Sequence, residues 1–179
     1  MTDEEVVRLI QNGDKEKFGE IVERYQEKLF WYVKGVINQN NEEVEDVVQE
    51  VFLSSYENIL SFDCNKKFSS WIYRIAHNKA IDTFKKKRVK KESIEDYDEF
   101  FGNDDKLLEE LQIDKEKEES VEKAINKLEL KYKEVVRLYY FDQKSYDEIS
   151  DILRIPTGNV GVLLFRAKSI LKKELKKYG

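Results

Sequence analysis

The sequence has very little cysteine, proline and histidine, with one residue of each among 179. The single cysteine, Cys64, cannot form an internal disulfide. The single histidine, His77, has no second histidine or cysteine pair at ligand spacing, so no metal site is predicted. Seven glycines and one proline are too few for the many turns of a β-sandwich or barrel. The composition therefore predicts an all-α fold.

Long apolar runs and targeting segments are also missing. No apolar stretch approaches the roughly 18 residues needed to span a bilayer, so no direct membrane insertion is expected. The N-terminal sequence MTDEEVV lacks the basic start and apolar run of a signal peptide. No nucleophile is paired with a base, so no catalytic residue and no cofactor are predicted. We expect a cytoplasmic protein that is not an enzyme.

Charged residues are abundant, at 39% of the chain, and unevenly distributed. Residues 1–91 contain 16 basic and 16 acidic side chains, residues 92–119 contain 3 and 13, and residues 120–179 contain 13 and 8. The net charge of -5 therefore originates in the middle segment, whereas both flanking segments show helical apolar periodicity. This pattern predicts two small helical domains, 1–91 and 120–179, joined by a flexible acidic linker, 92–119, with one weak helix near Leu107 to Leu111.

Cap residues and apolar spacing predict four helices in the first domain. A Thr2 and Glu5 capping box is expected to begin the first helix. Asp14 and Asn41 are the expected caps of the second and third helices, and the fourth begins at Phe68.

The third helix has a polar strip opposite its buried valines. Because the strip residues fall at i, i+3, i+4 and i+7, they lie on one side of the helix: Asp46, Gln49, Glu50 and Leu53. Such a strip suits the basic surface of a partner. A solvated helix face explains the same pattern.

The fourth helix combines an apolar stripe with a strongly basic end. Its stripe contains Phe68, Trp71, Ile72, Ile75 and Ala76, and six of the seven residues from Lys85 to Lys91 are basic. A second, polar strip follows the same helical period: Arg74, Asn78, Asp82 and Lys85. This strip and the basic end suit DNA bases and phosphates. A surface helix with a solvated lysine tail is the alternative.

The C-terminal domain contains two helices joined by a tight break. Ser145 and Glu148 form a capping box for the first helix, and Thr157 is the expected cap of the second. Two helices joined by about three residues form a helix-turn-helix, whose second helix commonly enters the DNA major groove. Other helical hairpins share this outline.

Together these motifs resemble those of bacterial RNA polymerase sigma factors of the extracytoplasmic-function (ECF) group. EDVVQEVFL at 45–53 is similar to the acidic helix that docks on the polymerase, and FSSWIYRIAHNKAID at 68–82 to the helix that recognises and opens the minus-ten element. SYDEISDILRIPTGNV at 145–160, with FRAK at 165–168, is similar to the helix-turn-helix that binds the minus-thirty-five element. The resemblance covers residues 14–91 and 120–177. It implies core RNA polymerase, promoter DNA and an anti-sigma factor as partners.

The resemblance also implies site residues. The polymerase-binding residues would be Asp46, Gln49, Glu50, Phe52 and Leu53. The minus-ten residues would be Arg74, His77, Asn78, Lys85, Lys86, Lys87 and Arg88, and the minus-thirty-five residues would be Thr157, Asn159, Val162, Arg166 and Lys168. A flipped base would be held by the loop from Ser61 to Lys67 and by the fourth helix. The acidic linker would occupy a basic polymerase channel as a mimic of nucleic acid, or would serve only as a tether.

One departure from the family pattern follows Val160. Where members carry a Lys-Ser-Arg-like run, this chain has Gly161-Val162-Leu163, so Val162 and Phe165 are expected to contact thymine methyl groups. Gly161 is expected where the backbone approaches DNA closely. The alternatives are a stand-alone helix-turn-helix regulator and a helical adaptor that binds only protein. The polar strip on the third helix favours the sigma factor, because a repressor has no use for it.

Overall fold

The computed structural model describes residues 1–88 and 115–176, with side chains described for 1–86 and 121–176. The chain divides into two compact units, 1–92 and 93–179, which are described separately. Over the described ranges every regular element is helical, which confirms the predicted all-α class. None of the helices in these ranges is long and apolar enough to cross a membrane. The predicted helix at Leu107 to Leu111 lies outside the described residues.

The N-terminal unit consists of four helices that enclose one core. The helices are α1 (Asp3–Gln11), α2 (Phe18–Ile37), α3 (Asn41–Asn58) and α4 (Phe68–Arg88), with 3₁₀ turns at Lys15–Lys17 and Ile59–Ser61. Helices α2, α3 and α4 pack against one another. Their shared core contains side chains that are at most 1% exposed, including Leu29, Tyr32, Val51, Phe68 and Ile72.

The helix caps in this unit agree only in part with the prediction. The Thr2 and Glu5 capping box is confirmed, because the Glu5 amide donates to Thr2 Oγ1 at 3.2 Å and the Thr2 amide donates to Glu5 Oε2 at 2.8 Å. Asp14 makes no side-chain cap, since a 3₁₀ turn separates it from α2. Asn40, and not Asn41, caps α3: its backbone is extended and its Oδ1 accepts from the Glu43 amide at 2.9 Å.

The C-terminal unit is a second helical bundle. Its helices are α5 (Lys115–Asn126), α6 (Leu130–Val136), α7 (Tyr146–Leu153) and α8 (Thr157–Leu175), with a π-helical turn at Arg137–Phe141 after α6. Helix α8 packs on α5, α6 and α7. It does so through the side chains predicted to lie inside, Val160, Leu164, Ala167 and Leu171. Helix α5 begins within the segment predicted as linker.

Helix α6 and the turn after it carry buried charged side chains. Lys133, Glu134 and Arg137 are each 7% exposed. Arg137 forms an ion pair with Glu122 of α5. Burial lowers the pKa of Lys133, and the neighbouring Arg137 lowers it further. The folded state therefore opposes the charged form of Lys133.

Candidate functional sites

The predicted polar strip of α3 is on the surface. Asp46, Gln49 and Glu50 are exposed, and 60% of Leu53 is exposed. Phe52 is half-buried, with its ring edge-on to Phe18 at 6.5 Å. Four of the five predicted polymerase-binding residues are thus open to a partner, whereas Phe52 belongs partly to the core.

Two further apolar side chains extend this strip and are not among the residues predicted from the sequence. Tyr56 is 39% exposed and Leu60 is 71% exposed. Tyr56 follows Leu53 at i+3 on α3, a spacing that keeps helical residues on one side, and Leu60 lies in the 3₁₀ turn just after α3. This spacing was the available signal. We call Asp46, Gln49, Glu50, Leu53, Tyr56 and Leu60 the docking strip.

An ion pair connects the docking strip to α4. The Nζ atom of Lys79 lies 3.4 Å from Glu50 Oε2. Both side chains keep considerable exposure, at 35% and 63%. The pair therefore contributes little stability. It does place a lysine of the predicted DNA-binding helix beside the strip.

An aromatic cluster holds the start of α4 against the loop before it. The ring of Trp71 lies 5.1 Å from that of Phe62 and 5.4 Å from that of Phe68. Phe68 and Phe62 are buried, while Trp71 is half-buried. Trp71 thus packs in the apolar stripe of α4, and its exposed part leaves the alternative of stacking on a base open.

The predicted minus-ten residues occupy different environments along α4. Arg74 and His77 are half-buried, whereas Asn78, Lys85 and Lys86 are exposed. The Nδ1 atom of His77 lies 3.3 Å from the Tyr32 hydroxyl, which fixes the imidazole against the core. Beyond these residues, Lys87 and Arg88 have no described side chains.

The helix-turn-helix outline is confirmed in the C-terminal unit. The Ser145 amide donates to Glu148 Oε2 at 2.9 Å, and the Glu148 amide donates to Ser145 Oγ at 3.2 Å, which completes the predicted capping box. Arg154 ends α7 with φ 55° in the left-handed region. The Ser150 hydroxyl then donates to the Ile155 carbonyl at 2.6 Å. The left-handed Arg154 and the Ser150 bond shape the break between α7 and α8.

The start of α8 differs from the prediction. Pro156 holds the cap position, so Thr157 is already the first helical residue and its predicted capping role is wrong. The Thr157 hydroxyl instead lies 3.4 Å from Asp147 Oδ1 of α7. Proline suits this position because it fixes φ near the helical value and lacks an amide hydrogen.

The predicted minus-thirty-five residues fall on two sides of α8. Asn159, Val162 and Arg166 share one side at i, i+3 and i+7. Thr157 and Lys168 share another. Asn159, Arg166 and Lys168 are half-buried and Thr157 is exposed.

The Gly161-Val162-Leu163 run packs against its own unit. Val162 is only 8% exposed, which leaves its side chain little free surface, whereas Phe165 is 40% exposed. A Cβ at Gly161 would lie 3.4 Å from Tyr146 Cε2. A side chain at position 161 would therefore make an ordinary contact with α7, and the expected approach of DNA to Gly161 stays a prediction.

Over residues 1–88 and 115–176, no group of His, Cys, Asp and Glu side chains is arranged to hold a metal ion. The exposed surfaces described above are polar strips and helix faces.

Comparisons with known proteins agree with both motifs. The family described as Sigma-70 region 2 matches residues 21–89, and the family described as Sigma-70, region 4 matches residues 118–171. The ECF RNA polymerase sigma factor SigW of Bacillus subtilis is 35% identical over 95% of this chain and 95% of its own length.

Two solved structures share the fold. CnrH in complex with the cytosolic domain of CnrY has a TM-score of 0.74 at 20% identity, covering 99% of each chain. The sigma factor RpoE, in complex with the anti-sigma factor NepR from Bartonella quintana, has a TM-score of 0.68 at 18% identity, covering 90% of this chain and 98% of RpoE.

Both sigma-70 regions are thus present in one chain, in the order that defines a sigma factor. The chain belongs to the sigma-70 family of RNA polymerase sigma factors, within the ECF group. It binds core RNA polymerase, directs it to promoters and initiates transcription, and it is not an enzyme. A stand-alone regulator is not favoured, since region 2 accompanies the helix-turn-helix.

Proposed function

We propose that the two units divide promoter recognition between them. Residues 1–91 dock on the polymerase and recognise the minus-ten element, residues 120–179 bind the minus-thirty-five element, and residues 92–119 connect them. The main support is the docking strip, which is exposed along its length although Tyr56 also packs edge-on against Phe18 at 5.0 Å. Helices α3 and α4 pack together, so one unit carries both the docking strip and the minus-ten surface.

Charge reversal on the strip tests the docking role. Asp46→Lys with Glu50→Lys should abolish co-purification with core polymerase, because both carboxylates would become like charges against a basic partner surface. The fold should be retained, since both side chains are exposed. Glu23→Lys with Glu27→Lys is a matched control: these glutamates are exposed on α2 at the same spacing. Co-purification of the strip variant at the wild-type level would refute the docking surface.

Opening of the minus-ten element is proposed to involve the loop from Ser61 to Lys67 and the polar side of α4. Capture of a flipped base has an unstacking cost of a few kcal/mol, which contacts to that base must offset. Asn78 is exposed on α4, so Asn78→Ala should impair open-complex formation without weakening polymerase binding. Permanganate reactivity of unpaired thymines measures the opening. Normal reactivity of the variant would remove Asn78 from the site.

The basic end of α4 is proposed to hold phosphates. Lys85 and Lys86 are exposed there, and phosphate contacts add affinity without sequence information. Replacement of both by Gln should weaken binding to all promoters to a similar extent and lower its salt dependence. An unchanged salt dependence would contradict this role.

We also propose regulation by an anti-sigma factor and a cytoplasmic location. RpoE from Bartonella quintana is bound by the anti-sigma factor NepR, and the exposed docking strip of this chain is a surface that such a partner could cover. A tagged form isolated from its own cells should recover such a protein together with polymerase. Recovery of polymerase alone under repressing conditions would count against this regulation.

We propose that the acidic segment 92–119 both tethers the two units and contributes to polymerase binding through its charge. Its charge favours a basic polymerase channel, and most of it lies outside the described residues. A Gly/Ser segment of equal length keeps the reach and removes the charge. Polymerase affinity, its salt dependence and the yield of abortive transcripts should all change. If none of them does, the segment is only a tether.

A further inference from the structure

Helix α1 forms direct hydrogen bonds with the loop that joins α3 to α4. The Nε2 atom of Gln11 donates to the carbonyl oxygens of Ile59 and Phe62, each at 2.8 Å. The Sγ atom of Cys64 donates to Gln11 Oε1 at 3.4 Å. One half-buried side chain thus contacts the loop at three points.

Two other side chains of α1 bond to the same connection. The Nη2 atom of Arg8 donates to the Cys64 carbonyl at 3.4 Å. The Phe68 amide, at the first residue of α4, donates to Glu4 Oε1 at 2.9 Å. Glu4, Arg8 and Gln11 lie at i, i+4 and i+7, so they form one stripe along α1. This stripe spans the loop from its first residues to the start of α4.

Helix α1 is also anchored by side chains outside this stripe. Val6, Val7 and Ile10 are at most 3% exposed. Asp3 accepts hydrogen bonds from Arg24 Nη1 at 2.8 Å and from the Tyr25 hydroxyl at 2.5 Å. Helix α1 is therefore fixed to α2. Its polar stripe provides a rigid support for the loop.

The loop also has hydrogen bonds of its own, from the Phe62 amide to the Ile59 carbonyl at 3.2 Å and from the Lys66 amide to the Asp63 carbonyl at 2.9 Å. Asp63 Oδ1 accepts from the amide and Nδ2 of Asn65, both at 3.0 Å, which shapes the loop tip. Phe62 anchors the loop to the aromatic cluster of α4. The carbonyls of residues 59, 62 and 64 point to α1. The path of the backbone between those anchors therefore depends on the stripe.

We infer that α1 is a positioning element for minus-ten recognition, in which Gln11 is the central positioning residue and Glu4 and Arg8 assist it. The stripe holds the backbone of residues 59–68 in the conformation that receives the promoter base. This inference rests on the proposed role of the loop in capturing the promoter base. Helix α1 lies outside the region 2 match, which begins at residue 21.

Cys64 provides a test of the anchoring that does not depend on transcription. It is the only cysteine of the chain, so alkylation of the full-length protein reports on this loop alone. Gln11→Met keeps the length and helix propensity of the side chain and removes its hydrogen bonds. The alkylation rate of Cys64 should rise on the order of tenfold. The control is Gln26→Met, at an exposed position on α2, and its rate should remain at the wild-type level.

Promoter selectivity tests the consequence for recognition. Holoenzymes carrying Gln11→Met and Gln26→Met are compared on promoters with each of the four bases at every minus-ten position. Gln11→Met should reduce the preference for the best base severalfold, with core polymerase affinity unchanged. Lower thermal stability with unchanged base preference would indicate a merely structural role and overturn the inference. If Gln11→Met does not fold, Arg8→Met at an exposed position gives a milder version of the same test.

The outcomes separate this inference from the function on which it rests. An alkylation rate that stays at the wild-type value in Gln11→Met overturns the anchoring by α1, whatever the promoter data show. A change in the loop itself, such as Asn65→Ala, should also alter base preference. If that variant keeps the wild-type base preference, the loop has no role in recognition, and neither has α1. Faster alkylation together with reduced base preference supports both.

Discussion

The apolar end of the docking strip predicts a measurable contribution to polymerase affinity. Leu53 and Leu60 are 60% and 71% exposed, on the same strip as Asp46, Gln49 and Glu50. The predicted perturbation is Leu53→Ala, Leu60→Ala and the double variant. Each truncation removes apolar surface that only a partner could bury, so the fold should be little affected.

The expected magnitude follows from the exposed fractions. Full burial of a leucine side chain contributes about 1.5–3 kcal/mol. Because the folded unit already buries part of each side chain, docking can add no more than the remaining surface, roughly 1–2 kcal/mol per leucine. Alanine retains Cβ, so each single variant should weaken binding by about 1 kcal/mol, or roughly fivefold. The double variant should lose about the sum if the two contacts are independent.

The measurement is a fluorescence titration of labelled protein with core polymerase at two salt concentrations. The apolar loss should be nearly independent of salt, whereas loss of the acidic side chains should shrink as salt rises. Leu9→Ala serves as the control, because Leu9 is 37% exposed on the side of α1 away from Gln11. Wild-type affinity in the double variant would show that the interface ends at Glu50 and that the two exposed leucines have another role.

Three further predictions concern stability. Burial and the hydrogen bond to Asp3 raise the pKa of Tyr25 above its usual value of 10.0. Its stabilising contribution is therefore complete below pH 10 and falls at higher pH, where the tyrosine of the unfolded chain ionises. The variant Tyr25→Phe should lose about 1–2 kcal/mol of stability at pH 7, and its stability in urea titrations should fall less steeply at alkaline pH than that of the wild type. Lys133 has a lowered pKa because it is buried and lies near Arg137, so Lys133→Met should stabilise the C-terminal unit by about 1 kcal/mol at pH 7. This gain should shrink as pH approaches 10.5, where the lysine of the unfolded chain also loses its charge. A gain that does not change with pH would contradict the lowered pKa of Lys133. Gly161→Ala should raise the thermal midpoint, with a gain of about 0.5–1 kcal/mol, because alanine has the higher helix propensity and its methyl group makes an ordinary contact with Tyr146. A lower midpoint would show that α7 cannot accommodate the methyl group.

Periodicity and local cap chemistry account for what the sequence predicted correctly. Helices α2, α4 and α8 carry apolar side chains at a steady helical period, and this pattern needs no knowledge of neighbouring elements. The boxes at Thr2 and Ser145 bond within four residues of chain, so they too are local. The exposed face of α3 followed from the same period. All of these features are set by residues close together in sequence.

The predictions failed at two kinds of position: where two neighbouring residues could each cap a helix, and where a contact joins residues far apart in sequence. Asn40 and Asn41 have the same cap chemistry, and only the backbone conformation decides that Asn40 lies outside the helix. At α8, Pro156 takes the cap position from Thr157. The contact between Gln11 and the carbonyls of residues 59 and 62 links positions nearly fifty residues apart in sequence, at separations of 48 and 51. No local pattern predicts such a contact, so α1 was assigned no role.

In the C-terminal helix-turn-helix, too, some features are set by local sequence and others by tertiary packing. Its capping box and break are local, but the burial of Val162 and Leu163, at 8% and 4% exposure, depends on what packs around α8. With those side chains buried, we expect the proposed base contacts on that side of α8 to come from Asn159 and Arg166. A good bidentate contact discriminates between bases by about 1–3 kcal/mol, so these two residues would supply most of the selectivity on that side. Minus-thirty-five selectivity should therefore be narrow and concentrated at one or two base pairs, while the lysines of α8 add affinity that is independent of sequence.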